Sequence, residues 1–233
     1  MAHIPDGLLS IPVLLGGAVA TAGGLAWAMR SLNEETIPRT AVLSAMFFVS
    51  SLIAVPVGPS SVHLMLSGLM GLLLGPMIVP AVFIALILQA AMFGFGGLTT
   101  LGINTLNIAG PGLLMGAMFA PFVQRAAPSR AGLIGGFCAA LAVAGTGVGV
   151  AASLALSSSD YTPSAKIIIA TYIPLMAVEA VIAGLAITFL KRVKPEALTL
   201  RHSSITPLRV SQTTFDKPST PDANSIPVDQ NAL

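Results

Sequence analysis

Apolar residues occupy this chain in long unbroken blocks, set apart by short polar or Gly/Pro-rich stretches. Neither the strict alternation of a strand nor the stripe of an amphipathic surface helix runs through them. A helix crosses a bilayer with about 20 apolar residues. The blocks predict spans at about 11–29, 40–57, 62–74, 77–93, 108–123, 131–156 and 167–190. The third is short enough to read as re-entrant. Basic residues decide its treatment. If it crosses, Arg30 and Arg39, Arg125 and Arg130, and Lys191, Arg192 and Lys194 all share one side, with only Lys166 opposite. The positive-inside rule then favours an all-α bundle of about seven transmembrane helices, with the N-terminus outside and the C-terminus in the cytoplasm.

Composition strengthens this picture. Of 233 residues, 55% are hydrophobic and 9% charged, against about 25% charged in soluble domains. No Asp, Glu, Lys or Arg occurs between Thr40 and Gln124. The expected location is a bacterial cytoplasmic (inner) membrane, multi-pass. The net charge of +2 is too small and too unevenly spread to imply nucleic acid. The opening stretch has no basic region and carries Asp6, so the first block reads as a retained span, not a signal peptide. The lone Cys138, inside an apolar run, reads as a small buried hydrophobe.

Two domains of unequal character are expected. Residues 1–194 form the transmembrane domain. Residues 195–233 are rich in Ser, Thr, Pro and Asn and read as a disordered cytoplasmic tail. Small residues within the spans, as in "GGAVATAGG" and "GTGVGVAA", predict close helix packing.

The polar residues that could do chemistry are few. His202 falls in the tail. The topology places His3 and His63 together at the outer face. Initiator methionine is normally removed before a small residue such as Ala2. The mature chain would then begin Ala2-His3. Its amine, the His3 amide nitrogen and a His3 ring nitrogen can close two fused chelate rings on one ion. His63 could complete a square-planar set of four nitrogens. That geometry suits Ni(II) or Cu(II), with low-spin Co(II) less common, and it does not suit tetrahedral zinc. A solvated terminal histidine and an interfacial one explain the same spacing equally well. Glu179 lies within the last block, where a carboxyl is costly and is either functional or a structural hydrogen-bonding group. Gln89, Asn104 and Asn107 are candidates to support the site through hydrogen bonds, although loop capping would also explain the asparagines. "GFGGLTTLG" follows a span and lacks a Walker lysine, so it is no nucleotide fingerprint. No nucleophile–base constellation or CxxC motif is present. The chain is therefore expected not to be an enzyme.

Four segments, "MAHIPDGLLS", "SSVHLMLSGLMGLLLGP", "LQAAMFGFGGLTTLGINTLNIAGPG" and "PLMAVEAVIAG", together resemble the CbiM/NikM family over about residues 1–190. These are the substrate-binding (S) components of energy-coupling factor (ECF) transporters for cobalt and nickel. The resemblance implies seven helices, an external N-terminus, and metal held by the terminal amine, His3 and His63. It implies no resident cofactor, because Ni(II) or Co(II) binds as the transported substrate. It also implies partner ATPase subunits, a coupling transmembrane subunit and, as a separate chain, a small accessory membrane subunit. Two departures stand out. Family members usually begin Met-His, whereas Ala2 intervenes here. Many cobalt-type members carry a histidine where this chain has Phe95, and "SSVHL" is closer to the nickel type. The competing expectation is an autonomous ion-coupled carrier that uses Glu179 as a proton relay.

Overall fold

A computed structural model describes residues 3–52, 55–57 and 60–198. The described chain is overwhelmingly helical and contains seven α-helices. Helix α1 (Ile11–Ala28) starts with Pro12 in its first turn, where a missing N–H costs nothing. A short turn, Met29–Ser31, leads to Asn33. The Asn33 Oδ1 accepts from the Glu35 and Thr36 N–H groups at 3.0 and 2.8 Å, and the Asn33 N–H donates to Thr36 Oγ1 at 2.9 Å. This reciprocal cap launches α2 (Thr36–Ser50).

The second expected span, 40–57, stops early. Its last residues form β1 (Val55–Val57), paired antiparallel with β2 (Ser60–Val62) so that Val55 faces Val62. Pro56 has no N–H with which to continue a helix. Helix α3 (Ser67–Leu74) ends at Gly75, whose φ of 54° and ψ of −128° suit glycine, and Pro76 follows. Helices α4 (Ile78–Phe93), α5 (Leu101–Arg125), α6 (Pro128–Ser157) and α7 (Thr162–Val193) complete the set.

Among the described residues, five helical stretches are long and apolar enough to cross a membrane: Ile11–Ser31, Ser67–Phe93, Leu101–Arg125, Pro128–Ser157 and Ser159–Val193. Thr36–Ser50 is apolar but shorter. Helix α3 alone rises about 12 Å, less than half of the roughly 30 Å hydrocarbon core.

Contacts fix how the ends alternate. Ile4 bonds Asn104 near the start of α5, and Ser50 Oγ, at the end of α2, donates to Leu64 O at 2.8 Å. Asn107 bonds Ser153 near the end of α6. The starts of α1 and α5 and the ends of α2 and α6 thus gather at one end of the bundle. At the other, Lys191 Nζ in the last turn of α7 donates to Gln124 O at 2.5 Å. The stretch from Ser67 to Phe93 is not one rod. A straight helix of that length would separate its ends by about 40 Å. Instead, His63, four residues before α3, meets His3, and so does the Gly96 turn just after α4. Chain direction reverses at Gly75-Pro76.

Small residues set the packing distance, as expected. A Cβ on Gly71 would lie 1.9 Å from Gly112 O, and one on Gly136 would lie 2.5 Å from Ala180 O. Ser67 O lies 2.6 Å from where a Gly112 Cβ would stand. Helix α3 therefore begins level with Gly112, about 12 Å along α5 from Asn104. Residues 63–66, which are non-helical, carry the chain down to that depth.

The first four residues of the expected tail are described. Pro195–Leu198 form a helical turn, Leu198 is buried with Val123 and Ile187, and its carbonyl accepts from Gln124 Nε2 at 3.1 Å. The remainder of the expected tail, from residue 199, lies outside the described residues, as does His202.

Candidate metal centre

The N-terminal segment folds back into the bundle end and is pinned there by side chains from one loop and one helix start. The turn depends on Gly7, at φ 86°. The Asn104 side chain pairs with both backbone groups of Ile4: Ile4 N–H donates to Oδ1 and Nδ2 donates to Ile4 O, each at 3.0 Å. Thr100 Oγ1 donates to the same carbonyl at 2.8 Å. Ile4 and Leu9 are buried against Ile103, Val150 and Leu154.

Asp6 supplies the second anchor. Its carboxylate accepts from the N–H groups of Leu98, Thr99 and Thr100 at 3.2, 3.0 and 3.3 Å, and from Thr99 Oγ1 at 2.5 Å. These donors lie in the loop that leads into α5, so Asp6 fastens the terminal segment to that loop from about 95 residues away, close to the positive end of the helix dipole. The Thr99 hydroxyl, foremost, with the three N–H groups holds the carboxyl below its ordinary value. Glycine at position 97 leaves room for the Asp6 carboxylate, which a Cβ there would displace.

This docking buries His3, which is 5% exposed, beside His63, also 5% exposed. Their Nε2 atoms are 3.1 Å apart, with ring centroids at 5.0 Å and planes tilted by 39°. The tautomer of His63 follows from its neighbour. Its Nδ1 lies 3.0 Å from Leu64 O, which can only accept, so Nδ1 carries the proton and the unprotonated Nε2 accepts from His3 Nε2–H at 3.1 Å. The His3 Nδ1 is buried and has no hydrogen-bond partner among the described residues. Burial, and then the neighbouring His63, push the His3 ring down to about 3. That ring is therefore neutral at pH 7, the form that binds metal. Phe47 meets the His63 ring edge-on at 6.3 Å.

Each residue singled out in the sequence has a definite place. Gln89 is fully buried and faces His3, yet neither of its amide atoms makes a hydrogen bond of good geometry. Asn104 holds the terminal segment. Asn104 and Asn107 are not in a loop: both lie within α5, and Asn107 Nδ2 donates to Ser153 Oγ at 3.1 Å, away from the histidines. Glu179 does not touch the imidazoles. Its Oε1 accepts the N–H groups of Met65 and Leu66. Phe95 stacks beside Phe93 with centroids 5.7 Å apart. Ala2, the expected source of the amine, lies outside the described residues.

The sequence reading overlooked Asp6 as an anchor. Its signal, an acidic residue facing a Thr-Thr pair at 99–100, carries no local spacing and shows only in three dimensions. Among the described residues no group of three or more His, Cys, Asp or Glu side chains comes together. A metal held at the His3–His63 pair would need further donors of another kind, such as backbone nitrogen.

The comparisons with known proteins bear on this site. A model of the cobalt uptake substrate-specific transmembrane region, CbiM, matches residues 3–197. The chain belongs to the CbiM family. A putative metal transport protein of Haemophilus influenzae is 36% identical to this CbiM-family chain over 199 residues, covering 84% of the chain and 96% of that protein. A fused nickel transport protein NikMN of Rhodobacter capsulatus is 37% identical over 121 residues, 49% of this chain and 35% of that longer protein. A crystal structure of a truncated transition metal transporter superposes with a TM-score of 0.65 at 25% identity, covering 82% of this chain and 98% of that one. This CbiM-family chain is thus a membrane-spanning metal transport component.

Removing the Asp6 anchor should loosen the site without changing its donors. Asp6→Ala is expected to weaken Ni(II) binding about 10- to 100-fold, as losses of supporting hydrogen bonds around metal sites do. The absorption band of the saturated complex should stay at the wild-type wavelength. Titration of the purified protein followed by absorption reads both quantities.

Proposed function

We propose that this chain is the metal-capturing S component of an ATP-driven ECF importer. It takes Ni(II) or Co(II) as substrate from the outer face, through the Ala2 amine, the deprotonated His3 amide nitrogen, His3 Nδ1 and His63 Nε2. The observation that carries the reading is the buried His3–His63 pair, with an unprotonated His63 Nε2 turned to the His3 ring and a His3 Nδ1 that has no partner among the described residues. The family assignment supports the cargo class. Loss of an amide proton needs an ion that forms strong in-plane bonds, which favours late first-row metals.

The topology follows the same reading. The chain crosses seven times, with the histidine end outside and the Lys191 end in the cytoplasm. Its short third crossing combines non-helical residues 63–66 with α3. Four non-helical residues span up to about 13 Å, and the helix adds about 12 Å. Non-helical backbone at membrane depth is tolerated where protein buries it, as here. The mature chain begins at Ala2, which intact mass tests.

The energy comes from partners: ATPase subunits and a coupling membrane subunit, with a small accessory membrane subunit of the kind the fused nickel transport protein suggests. Proteoliposomes test this division of labour. Nickel uptake should appear only when the partner subunits and ATP are supplied. Uptake by this chain alone under a proton gradient would instead establish an autonomous carrier.

A further inference from the structure

The non-helical approach to α3 creates a problem that Glu179 solves. Residues 63–66 carry His63 at one end and enter α3 at the other, inside the bundle. Met65 and Leu66 are buried, and their N–H groups precede the first helical bond of α3. Leu66 sits in the left-handed region at φ 53° and ψ 16°, a conformation that a branched side chain rarely adopts. Successive N–H groups at such a turn form a concave anion-binding nest. Glu179 Oε1 fills it, accepting from Leu66 N–H at 2.8 Å and from Met65 N–H. Both Glu179 and Met65 are 0% exposed. The carboxylate also faces the positive end of α3, since Leu66 is its capping residue. On the other side of His63 the chain is held by the pairing of β2 with β1, which ends at Val62 opposite Val55, while Ser50 Oγ adds a bond to Leu64 O next to the Glu179 fastening. His63 thus sits on a short strap fastened at both ends, and the α7 fastening is one oxygen atom.

We propose that Glu179 is a positioning residue for the metal: it sets the depth and orientation of His63 by holding the strained Met65-Leu66 turn, and so governs whether the fourth nitrogen reaches the ion. This rests on the reading of His63 as a ligand. It differs from a proton-relay role because it requires only an acceptor at Oε1, not a titrating group. It also ties His63 directly to α7, so that a displacement of α7 at residue 179 would move the His63 ligand.

The test uses the purified full chain, Ni(II) alone as probe, and the d–d absorption band as readout. Glu179→Leu leaves both N–H groups without an acceptor. It should weaken Ni(II) binding about 10- to 100-fold, the usual range for residues that orient ligands. It should also shift the band to longer wavelength, the mark of a lost in-plane nitrogen. Glu179→Gln keeps an acceptor oxygen and should retain both the affinity, within about threefold, and the wild-type band, since the bonds it needs are neutral ones. In the Glu179→Leu background, Leu66→Gly removes the backbone strain and should recover part of the affinity. If Glu179→Leu does not accumulate, Glu179→Asp, one methylene too short to reach the turn, replaces it and the same band shift is expected. A wild-type band and affinity in the folded Leu or Asp variant would overturn the proposal. So would loss in Glu179→Gln equal to that in Glu179→Leu, which would point to charge. If His63→Ala itself leaves the band and affinity unchanged, the His63 reading has failed, and this inference with it. If His63→Ala shifts the band while the Glu179 variants do not, this inference alone has failed.

Discussion

Acetylating the N-terminal amine of the mature chain should abolish specific Ni(II) binding. The amine is the anchor of the proposed chelate, and an acetylated nitrogen has no lone pair to donate. Without it the amide nitrogen has no ring to close and keeps its proton. The donor set then shrinks from four nitrogens to two imidazoles. The expected loss is about a thousandfold or more, equivalent to about 4 kcal/mol. An acetyl group is small, so isothermal titration of acetylated and native protein, with matched melting curves, separates loss of a donor from loss of fold. A tag preceding Ala2 should act in the same way. Acidity should mimic the block in part. The His3 ring is already neutral, because burial holds it down to about 3, and His63 offers an unprotonated Nε2. Protons released on binding therefore come from the amine, with an ordinary value near 7.7–8.0, and from the amide. Affinity should fall by about one to two decades per unit as the pH drops from 8 to 6, although the His3 imidazole gains no proton over that range.

Replacing His63 is the second large effect. His63→Ala removes the nitrogen that the Nδ1–Leu64 bond keeps unprotonated. Water or another weak oxygen donor would take the fourth place, and the d–d band should move to longer wavelength. Affinity should fall about a hundredfold, or about 2.7 kcal/mol. The remaining three nitrogens keep the ion planar, so this loss should be smaller than that from the blocked amine. Reversal of that order would mean that the imidazoles, not the terminus, dominate the site. The side chain also packs against Phe47. His63→Gln, which fills more of the space than alanine, controls for packing.

Much of this could be read from the chain because membrane spans are written in long apolar blocks. The limits of α1, α4 and α6 lie within a few residues of those expected, since Gly94 and the basic 125–130 loop mark their ends in sequence as well as in space. Helix α5 begins at Leu101 instead of residue 108 because Asn104, Thr105 and Asn107 are polar yet buried against neighbours, which hydropathy alone scores as loop. Helix α2 ends at Ser50 because a hairpin follows, a local preference masked by the apolar run. The nearness of His3 and His63, 60 residues apart, was reachable because counting basic loops puts both at one face. The partners of Asp6 and Glu179 were not reachable. Each carboxylate bonds backbone N–H groups about a hundred residues away, and a backbone N–H carries no sequence signature.

The most direct measurement is nickel K-edge X-ray absorption on the native, metal-loaded chain. The account predicts four nitrogen donors in a plane and no axial ligand, with the sharp pre-edge feature of square-planar Ni(II). A six-coordinate, oxygen-rich shell, unchanged when the terminus is acetylated, would contradict it.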